Sequence, residues 1–197
     1  MMKCLRFMSV LVCLLLVSGC GSSAAVVEPP EETPEEDPRP QVIGARTLED
    51  GRKVGGSAKG KIGEEMVSVF FSFTVNRAEF AREFEENKPE RSYIYLITEV
   101  TVKSVLDKSL PMWADDFPIQ WGDGNNDYAY PLEKISNSQM DAEYRLNEGD
   151  SVTKNLIYEV PEPDGEREYT ITYLEYYEDD VEGNMFYVSF SLSAEGM

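Results

Sequence analysis

The sequence predicts an all-β protein whose folded part is an antiparallel β-sandwich of about seven strands. From residue 65 onward, apolar residues recur with a period of two, which is the period of a half-buried strand. Short segments rich in Gly, Asp, Asn and Pro separate these runs, and such residues form turns. Hydrophobic residues make up 42% of the chain, enough to fill a core between two sheets.

Six alternating runs account for most of the predicted strands, and each places its apolar residues on one face. The first run, "EMVSVFFSFTV", has Phe70 as an exception to the alternation. The inward-facing residues, run by run, are Val67, Val69, Phe71, Phe73 and Val75; Ile94, Leu96, Val100 and Val102; Phe117, Ile119 and Trp121; Val152, Leu156, Tyr158 and Val160; Tyr169, Ile171 and Tyr173; and Phe186, Val188, Phe190 and Leu192.

The segments between the runs predict turns and few helices. The segment "EDDVEGN" at 178–184 joins two alternating runs and predicts a hairpin with a solvated acidic tip. Two stretches, 77–87 and 136–145, could be helical instead, because 77–87 places several apolar residues near one helical stripe and 136–145 could form one or two turns.

The N-terminus has the three regions of a secretory signal peptide, predicted over residues 1–19. Lys3 and Arg6 form the positive start, an apolar run follows at 7–17, and Ser18 and Gly19 are small. The apolar run is shorter than the ~20 residues that span a bilayer as a helix. A short membrane anchor or a buried helix is the alternative.

A cysteine ends this leader, in the stretch Val17-Ser18-Gly19-Cys20. The stretch resembles the lipobox of bacterial lipoproteins. The resemblance implies that the Cys20 sulfur carries a diacylglyceryl lipid and that the leader is cut just before it. It also implies attachment to the cell membrane on the extracytoplasmic face, since two or more acyl chains such as palmitate give lasting anchoring.

The residues after Cys20 predict a spacer. The segment "EPPEETPEEDPRPQ" at 28–41 is rich in Pro and Glu and lacks apolar periodicity, so it cannot bury enough surface to fold. A ligand for a proline-recognising domain is the alternative. The predicted organisation is therefore a leader at 1–19, a lipidated, disordered acidic tether at 20–49 and a folded domain at 50–197.

Four pieces of the body occur in an order that resembles the immunoglobulin-like, telokin-like domain of Firmicutes lipoproteins, a domain of unknown function. The pieces are "FTVNRAEF", "YIYLITEVTVKS", "DFPIQWGDGNNDYAYPL" and "LNEGDSVTKNLIYEVP", within roughly 54–177. Ser104, where the family usually has Asn, and the extra hairpin after Glu178 depart from the pattern. The resemblance implies secretion, an Ig-like sandwich and an interaction role, and it brings no catalytic residues.

The composition excludes several function classes. The chain has no histidine, the commonest general base and metal ligand. Its three cysteines, Cys4, Cys13 and Cys20, all precede the predicted body, which therefore has no disulfide, zinc–thiolate site or cysteine nucleophile. The formal net charge of −19 disfavours nucleic acid, because phosphate contacts need Lys and Arg.

One loop begins like a calcium-binding loop. In "DGNNDYAYPLEK", Asp123, Asn125 and Asp127 occupy the first, third and fifth positions of the EF-hand pattern. Tyr128 and Lys134 stand where that pattern requires Gly and a bidentate Glu. A bound calcium ion is one interpretation, and a hairpin turn that uses the same residues is the other. We expect no other cofactor.

Outward tyrosines provide the candidate interaction surface. If Ile94 and Leu96 face the core, Tyr93 and Tyr95 face outward, and Tyr176 or Tyr177 could join them. Exposed aromatic rings can stack on sugars or anchor a protein partner. The alternative is that these rings cover a sheet edge or pack under a loop.

Together these patterns predict a membrane-anchored extracytoplasmic lipoprotein whose domain is a non-catalytic binding module for an unknown protein or glycan of the envelope. A carboxylate-based hydrolase of envelope polysaccharide is an alternative, because the chain has 37 acidic residues from which a catalytic pair could form. A calcium-stabilised structural domain is a third.

Overall fold

A computed structural model describes residues 37–194, which contain thirteen strands, one 3₁₀ turn and no α-helix. Five of the strands are long, with eleven or twelve residues each. The strands are β1 (Arg46–Thr47), β2 (Lys53–Val54), β3 (Ser57–Lys61), β4 (Glu65–Val67), β5 (Phe71–Ala81), β6 (Tyr93–Ser104), β7 (Leu110–Trp113), β8 (Ile119–Gln120), β9 (Tyr128–Ala129), β10 (Glu143–Leu146), β11 (Ser151–Pro161), β12 (Glu166–Tyr176) and β13 (Glu182–Ser193), and the 3₁₀ turn is Ala114–Asp116.

Two sheets pack face to face and form a β-sandwich, which confirms the predicted fold class. One sheet has the order β11-β6-β5-β4 and the other the order β3-β13-β12-β8-β9. The remaining strands form two separate two-stranded sheets, β1–β2 and β7–β10. The pairing is antiparallel except between β3 and β13, which run parallel, a pair that the sequence pattern did not predict.

The core lies between the two sheets and is rich in aromatic rings. Phe73 of β5 contacts Tyr173 of β12 and Phe186 of β13, with ring centroids 6.0 and 6.4 Å apart. Edge-to-face packing of this kind adds to the free energy gained by burying the rings. Most of the predicted inward-facing residues are buried, which supports the period-two interpretation of the long strands.

The first predicted strand is instead a hairpin. β4 and β5 pair with Met66 opposite Phe73, and residues 68–70 form the turn between them. The Ser68 hydroxyl accepts hydrogen bonds from the backbone amides of Phe70 and Phe71, each at 3.1 Å, which closes the turn. As a result, Met66 and not Val67 enters the core, and Val69 is exposed.

Neither stretch considered for a helix is helical. β5 continues through Ala81 after an irregularity between Val75 and Arg77, and Phe80 is buried in the core. The later stretch ends in β10, which pairs with β7. Sheet pairing and burial outweigh local helix propensity at both places, because propensity is worth only tenths of a kcal/mol per residue.

The compact unit begins earlier than the predicted boundary at residue 50. Ile43 bridges to Ser57, and β1 pairs with β2. The contiguous unit starts at Asp37, so the C-terminal part of the predicted tether belongs to the domain. The predicted leader, Cys20 and the tether as far as residue 36 lie outside the described residues. Across residues 37–194, no helix has the length and hydrophobicity needed to span a bilayer.

Candidate ligand-binding groove

A groove of about 730 Å³ lies at the end of the sandwich where β5 begins and β6 and β12 end. We call it the end groove. Its walls come from the β4–β5 turn, the loop after β6, strand β7, the 3₁₀ turn, the last part of β12 and the tip of the β12–β13 hairpin. Its lining includes Val69, Lys108, Trp113, Asp116, Tyr173, Leu174, Tyr176, Glu178 and Asp180.

One wall of the end groove is an open strand edge. β8 pairs with β12 only at Thr170 and Ile171, and the Thr172 amide donates to the Pro118 carbonyl at 3.0 Å. Because strand residues alternate, the amide and carbonyl of Leu174 point to the same edge as those of Thr172. No strand in the described part of the chain pairs with that edge at Leu174.

Exposed aromatic rings form the other walls. Trp113 is 44% exposed and Tyr176 is 57% exposed, and both line the end groove. Below them, Phe71 and Tyr173 pack with ring centroids 4.7 Å apart. Large rings that remain exposed in a concave site are typical of a surface that binds a ligand or partner.

Tyr177, the residue after Tyr176, also lines the end groove and is fixed by two neighbours. Its ring packs edge-on against Phe70, another lining residue, at 5.3 Å, and the Arg52 guanidinium lies 4.7 Å from its centroid. Arg52 also forms an ion pair with Asp179 in the hairpin tip. The acidic tip is therefore fixed to the start of the domain, although the sequence suggested only a solvated hairpin.

The lining of the end groove is negatively charged. Asp116, Glu178 and Asp180 contribute carboxylates, and Lys108 is the one basic residue among the described lining residues. No Lys or Arg within residues 37–194 forms an ion pair with Asp116. This site therefore favours a positively charged group.

The environment of Asp116 is aromatic and partly desolvated. Burial raises the pKa of the Asp116 carboxyl above its ordinary value; the Trp113 amide lowers it in part, and the charge of Asp115 raises it further. The pKa of the Tyr144 hydroxyl is raised by burial first and then by the Asp116 charge. A cation beside Asp116 would relieve this unfavourable charge.

A buried glutamate holds the groove wall in place. Glu175 is fully buried and accepts a hydrogen bond from the Val69 amide at 2.9 Å. It also accepts bonds from the Asn184 amide and side-chain Nδ2, both at 2.8 Å. These three bonds join the β4–β5 turn of one sheet to β12 and β13 of the other. Val69 is therefore presented by a rigid support.

The predicted tyrosine surface is only partly present. Tyr93 is 41% exposed, but Tyr95 is 5% exposed, so the prediction that Tyr95 faces solvent is wrong. Tyr95 packs with Ile97 and Ile157, and the loop residues Leu132 and Ile135 cover this small cluster. The alternative interpretation, packing under a loop, holds for Tyr95. Tyr93 starts β6 and lies at the opposite end of the sandwich from the end groove.

The loop considered for calcium forms the turn between β8 and β9. The Asp127 carboxylate accepts a hydrogen bond from the Gly124 amide at 2.9 Å, and the Asp127 amide donates to the Gly124 carbonyl at 3.0 Å. Asp123 and Asn125 lie in the same turn. Between residues 37 and 194, no three His, Cys, Asp or Glu side chains cluster so as to hold a metal ion. The alternative interpretation as a hairpin turn fits this geometry.

Comparison with known proteins found similarity only among solved structures. No protein-family model matches the chain, and no curated protein matches it. The proposed lipoprotein YcdA of Bacillus subtilis is 20% identical with a TM-score of 0.49; the match covers 66% of this chain and 38% of YcdA. This chain thus spans well under half of YcdA.

Two further structures match over nearly their whole length. The YjhA protein of Bacillus subtilis is 21% identical with a TM-score of 0.48, and the match covers 66% of this chain and 99% of YjhA. An uncharacterized β-sandwich protein of Clostridium difficile 630 is 13% identical with a TM-score of 0.44, and the match covers 74% of this chain and 99% of that protein.

Proposed function

We propose that this protein is an envelope lipoprotein whose Ig-like sandwich is a non-catalytic binding module. In this proposal a lipid on Cys20 holds the chain at the extracytoplasmic face of the membrane. The segment before residue 37 spaces the domain from the bilayer, and the end groove binds the ligand. The lipobox-like stretch supports the anchor, and the end groove supports the binding role.

The observation that carries the binding proposal is the combination of exposed rings and rigid support in one concave site. Trp113 and Tyr176 are large, exposed and close to the fixed Val69 turn. Binding surfaces gain most of their free energy from a few such aromatic anchors. A rigid site also loses less conformational entropy on binding than a flexible one.

The anchoring part of the proposal is tested by replacing Cys20 with Ser in the full chain. We expect the unaltered protein to stay with the membrane fraction and mass spectrometry to find lipid on Cys20. The C20S chain should be released or remain as uncut precursor without lipid. Recovery of an unlipidated native chain would contradict the anchor.

The binding part is tested with the two tryptophans of the chain, Trp113 and Trp121. Trp121→Phe leaves Trp113 as the single fluorescent reporter in the end groove. We expect purified envelope fractions to shift its emission and Tyr176→Ala to weaken that response. Tyr130→Ala, at another exposed tyrosine, is the matched control. No shift with any fraction would contradict a binding role for the end groove.

The two alternatives predict different results in the same preparation. A polysaccharide hydrolase using groove carboxylates would release sugar fragments, and Asp116→Asn would abolish that release. A calcium-stabilised domain would melt at a higher temperature with Ca²⁺ than with EDTA. The binding proposal predicts neither effect.

A further inference from the structure

The end groove offers a backbone edge as well as side chains. β8 ends its pairing with β12 at Thr172, and the residues before β8 pack against β12 as the 3₁₀ turn 114–116 instead of continuing the ladder. By the alternation of the strand, Leu174 directs an amide and a carbonyl to this unpaired side, and it is one of the lining residues of the groove. An extended peptide lying in the groove beside Leu174 would hydrogen-bond to it as an added strand.

The opposite edge of the groove is less suited to pairing. The Ala114 amide donates to the Ala142 carbonyl at 3.1 Å, so the alternate residue Met112 also faces β10. Pro111 therefore faces away from β10, and proline has no amide to donate. β12 is the strand edge that can accept a peptide, and β7 forms an apolar wall beside it.

The side chains select the kind of peptide. The apolar lining favours aliphatic or aromatic side chains. Asp116, Glu178 and Asp180 outnumber the single Lys108 among the lining residues, so a basic side chain is attracted and an acidic one repelled. The chain as a whole carries a formal net charge of −19, which adds to the same preference.

The charge of the lining argues against anionic lipid, a common ligand in an envelope. The excess of carboxylates repels anionic lipid headgroups. A peptide satisfies both the free backbone groups and the charge.

We propose that the end groove binds an extended, apolar and basic peptide segment as a strand added to the β12 edge, with a Lys or Arg side chain of that segment placed on Asp116. This inference rests on the proposed binding function and names the class of its ligand.

The test is calorimetric titration of the full-length protein in detergent with three five-residue peptides. The first alternates Val and Lys, the second alternates Val and Glu, and the third is the Lys peptide with N-methylated backbone amides. We expect the Lys peptide to bind at least about tenfold more tightly than the Glu peptide, because the groove carboxylates repel acidic side chains. N-methylation should cause a comparable loss of affinity for the Lys peptide, because it removes the amide hydrogens that would bond to the strand edge.

Two protein variants locate the effect. Asp116→Asn should weaken binding of the Lys peptide about tenfold, and it should not weaken binding of the Glu peptide. Asp164→Asn, at an exposed carboxylate in the turn before β12 and therefore at the opposite end of that strand from the groove, should leave the binding of both peptides unchanged. Unfolding of each variant, followed in the same buffer, shows whether it is folded.

Two results would overturn the inference. Equal affinity for the Lys and Glu peptides would remove the charge selection, and full binding of the N-methylated peptide would remove the added strand. If the peptides fail and an envelope glycan shifts Trp113 emission, the peptide inference is wrong and the binding function stands. If no probe shifts Trp113 emission, both fail.

Discussion

Asp116 is a partly buried carboxylate at the site for which we propose a binding role. Its carboxyl is partly buried among aromatic residues, and no basic residue in the described chain pairs with it. Removing the Asp116 carboxylate from water costs free energy, and a neutral side chain at this position would avoid that cost. Stability alone therefore does not explain an acid here. The tension between stability and function is measurable through the pH dependence of folding.

We predict that Asp116→Asn stabilises the protein at neutral pH. Because the folded-state pKa of Asp116 is raised, its ionisation favours the unfolded state as pH rises through that folded-state value. Below the ordinary value of 3.8 the carboxyl is protonated in both states, and the advantage of the variant disappears. Thermal unfolding between pH 3.5 and 7.5 measures the difference, with Asp164→Asn, at an exposed residue in the turn before β12, as the control. A variant less stable at pH 7 would contradict this account.

Glu175 is the residue whose loss we expect to be most damaging. Glu175→Ala leaves the Val69 and Asn184 amides without their acceptor, and it removes one of the two hydrogen bonds donated by Asn184 Nδ2, which still donates to the Lys53 carbonyl. Unpaired buried donors cost about 1–3 kcal/mol each, so we predict a loss of about 3 kcal/mol or more. Urea unfolding checks the value, and Glu178→Ala at the hairpin tip should cost less than about 0.5 kcal/mol. Equal losses would show that the three hydrogen bonds do not hold the turn.

At the scale of elements, the segment that carries Asp116 depends on one hydrogen bond between the sheets. The buried Tyr158 hydroxyl on β11 donates to the Phe117 carbonyl at 2.8 Å, directly after the 3₁₀ turn. We predict that Tyr158→Phe lowers the free energy of unfolding by about 1 kcal/mol. Tyr93→Phe, at an exposed ring, should leave it unchanged. An unchanged free energy of unfolding in the Tyr158→Phe variant would show that the hydrogen bond from Tyr158 to the Phe117 carbonyl makes no net contribution to stability.

The long central strands could be predicted because their burial is one-sided and regular. Ile94, Leu96, Val100 and Val102 of β6 are all fully buried, as the alternation predicted. The β4–β5 hairpin could not be predicted in this way. Its turn depends on the Ser68 hydroxyl, which accepts two hydrogen bonds from backbone amides. The apolar residues on both sides of the turn continue the alternation across it, so the pattern does not reveal the turn.

The end groove could be predicted only in fragments. Its residues come from three segments, around 69–71, 106–116 and 173–180, that are distant in sequence and meet through sheet packing. The exposed ring of Tyr176 was indicated by the outward-tyrosine pattern. Trp113 ends the four-residue strand β7 and Asp116 ends the 3₁₀ turn after it, and both elements are too short to show a period. The run "WADD" joins an aromatic ring to two acids and could have suggested a site.

The tyrosine surface shows why a strand pattern misjudges the outer face of a sheet. Tyr93 and Tyr95 alternate correctly with the buried Ile94 and Leu96. Tyr95 is covered by a loop that contains Leu132 and Ile135, and these residues are distant from Tyr95 in the sequence. Alternation tells which side of a sheet a residue occupies, and it does not tell whether another segment covers that side.

At the scale of the whole molecule, the acidic surface should steer basic ligands. The formal net charge is −19, and salt screens such attraction, with a Debye length that falls from ~10 Å at 0.1 M to ~3 Å at 1 M. We predict that the Val–Lys peptide binds more weakly as NaCl is raised over this range. Binding of an uncharged peptide of the same length should change little, and calorimetry distinguishes the two. Equal salt dependence would contradict the steering.

The central claim is that the open β12 edge in the end groove is a binding surface, and hydrogen exchange at Leu174 tests it most directly. The measurement compares the full-length protein with and without saturating Val–Lys peptide, resolved at single amides. We predict that exchange at Leu174 slows, while exchange around Tyr93 at the other end of the sandwich stays the same. Unchanged exchange at Leu174 with the peptide bound, or protection centred on Tyr93, would contradict the claim.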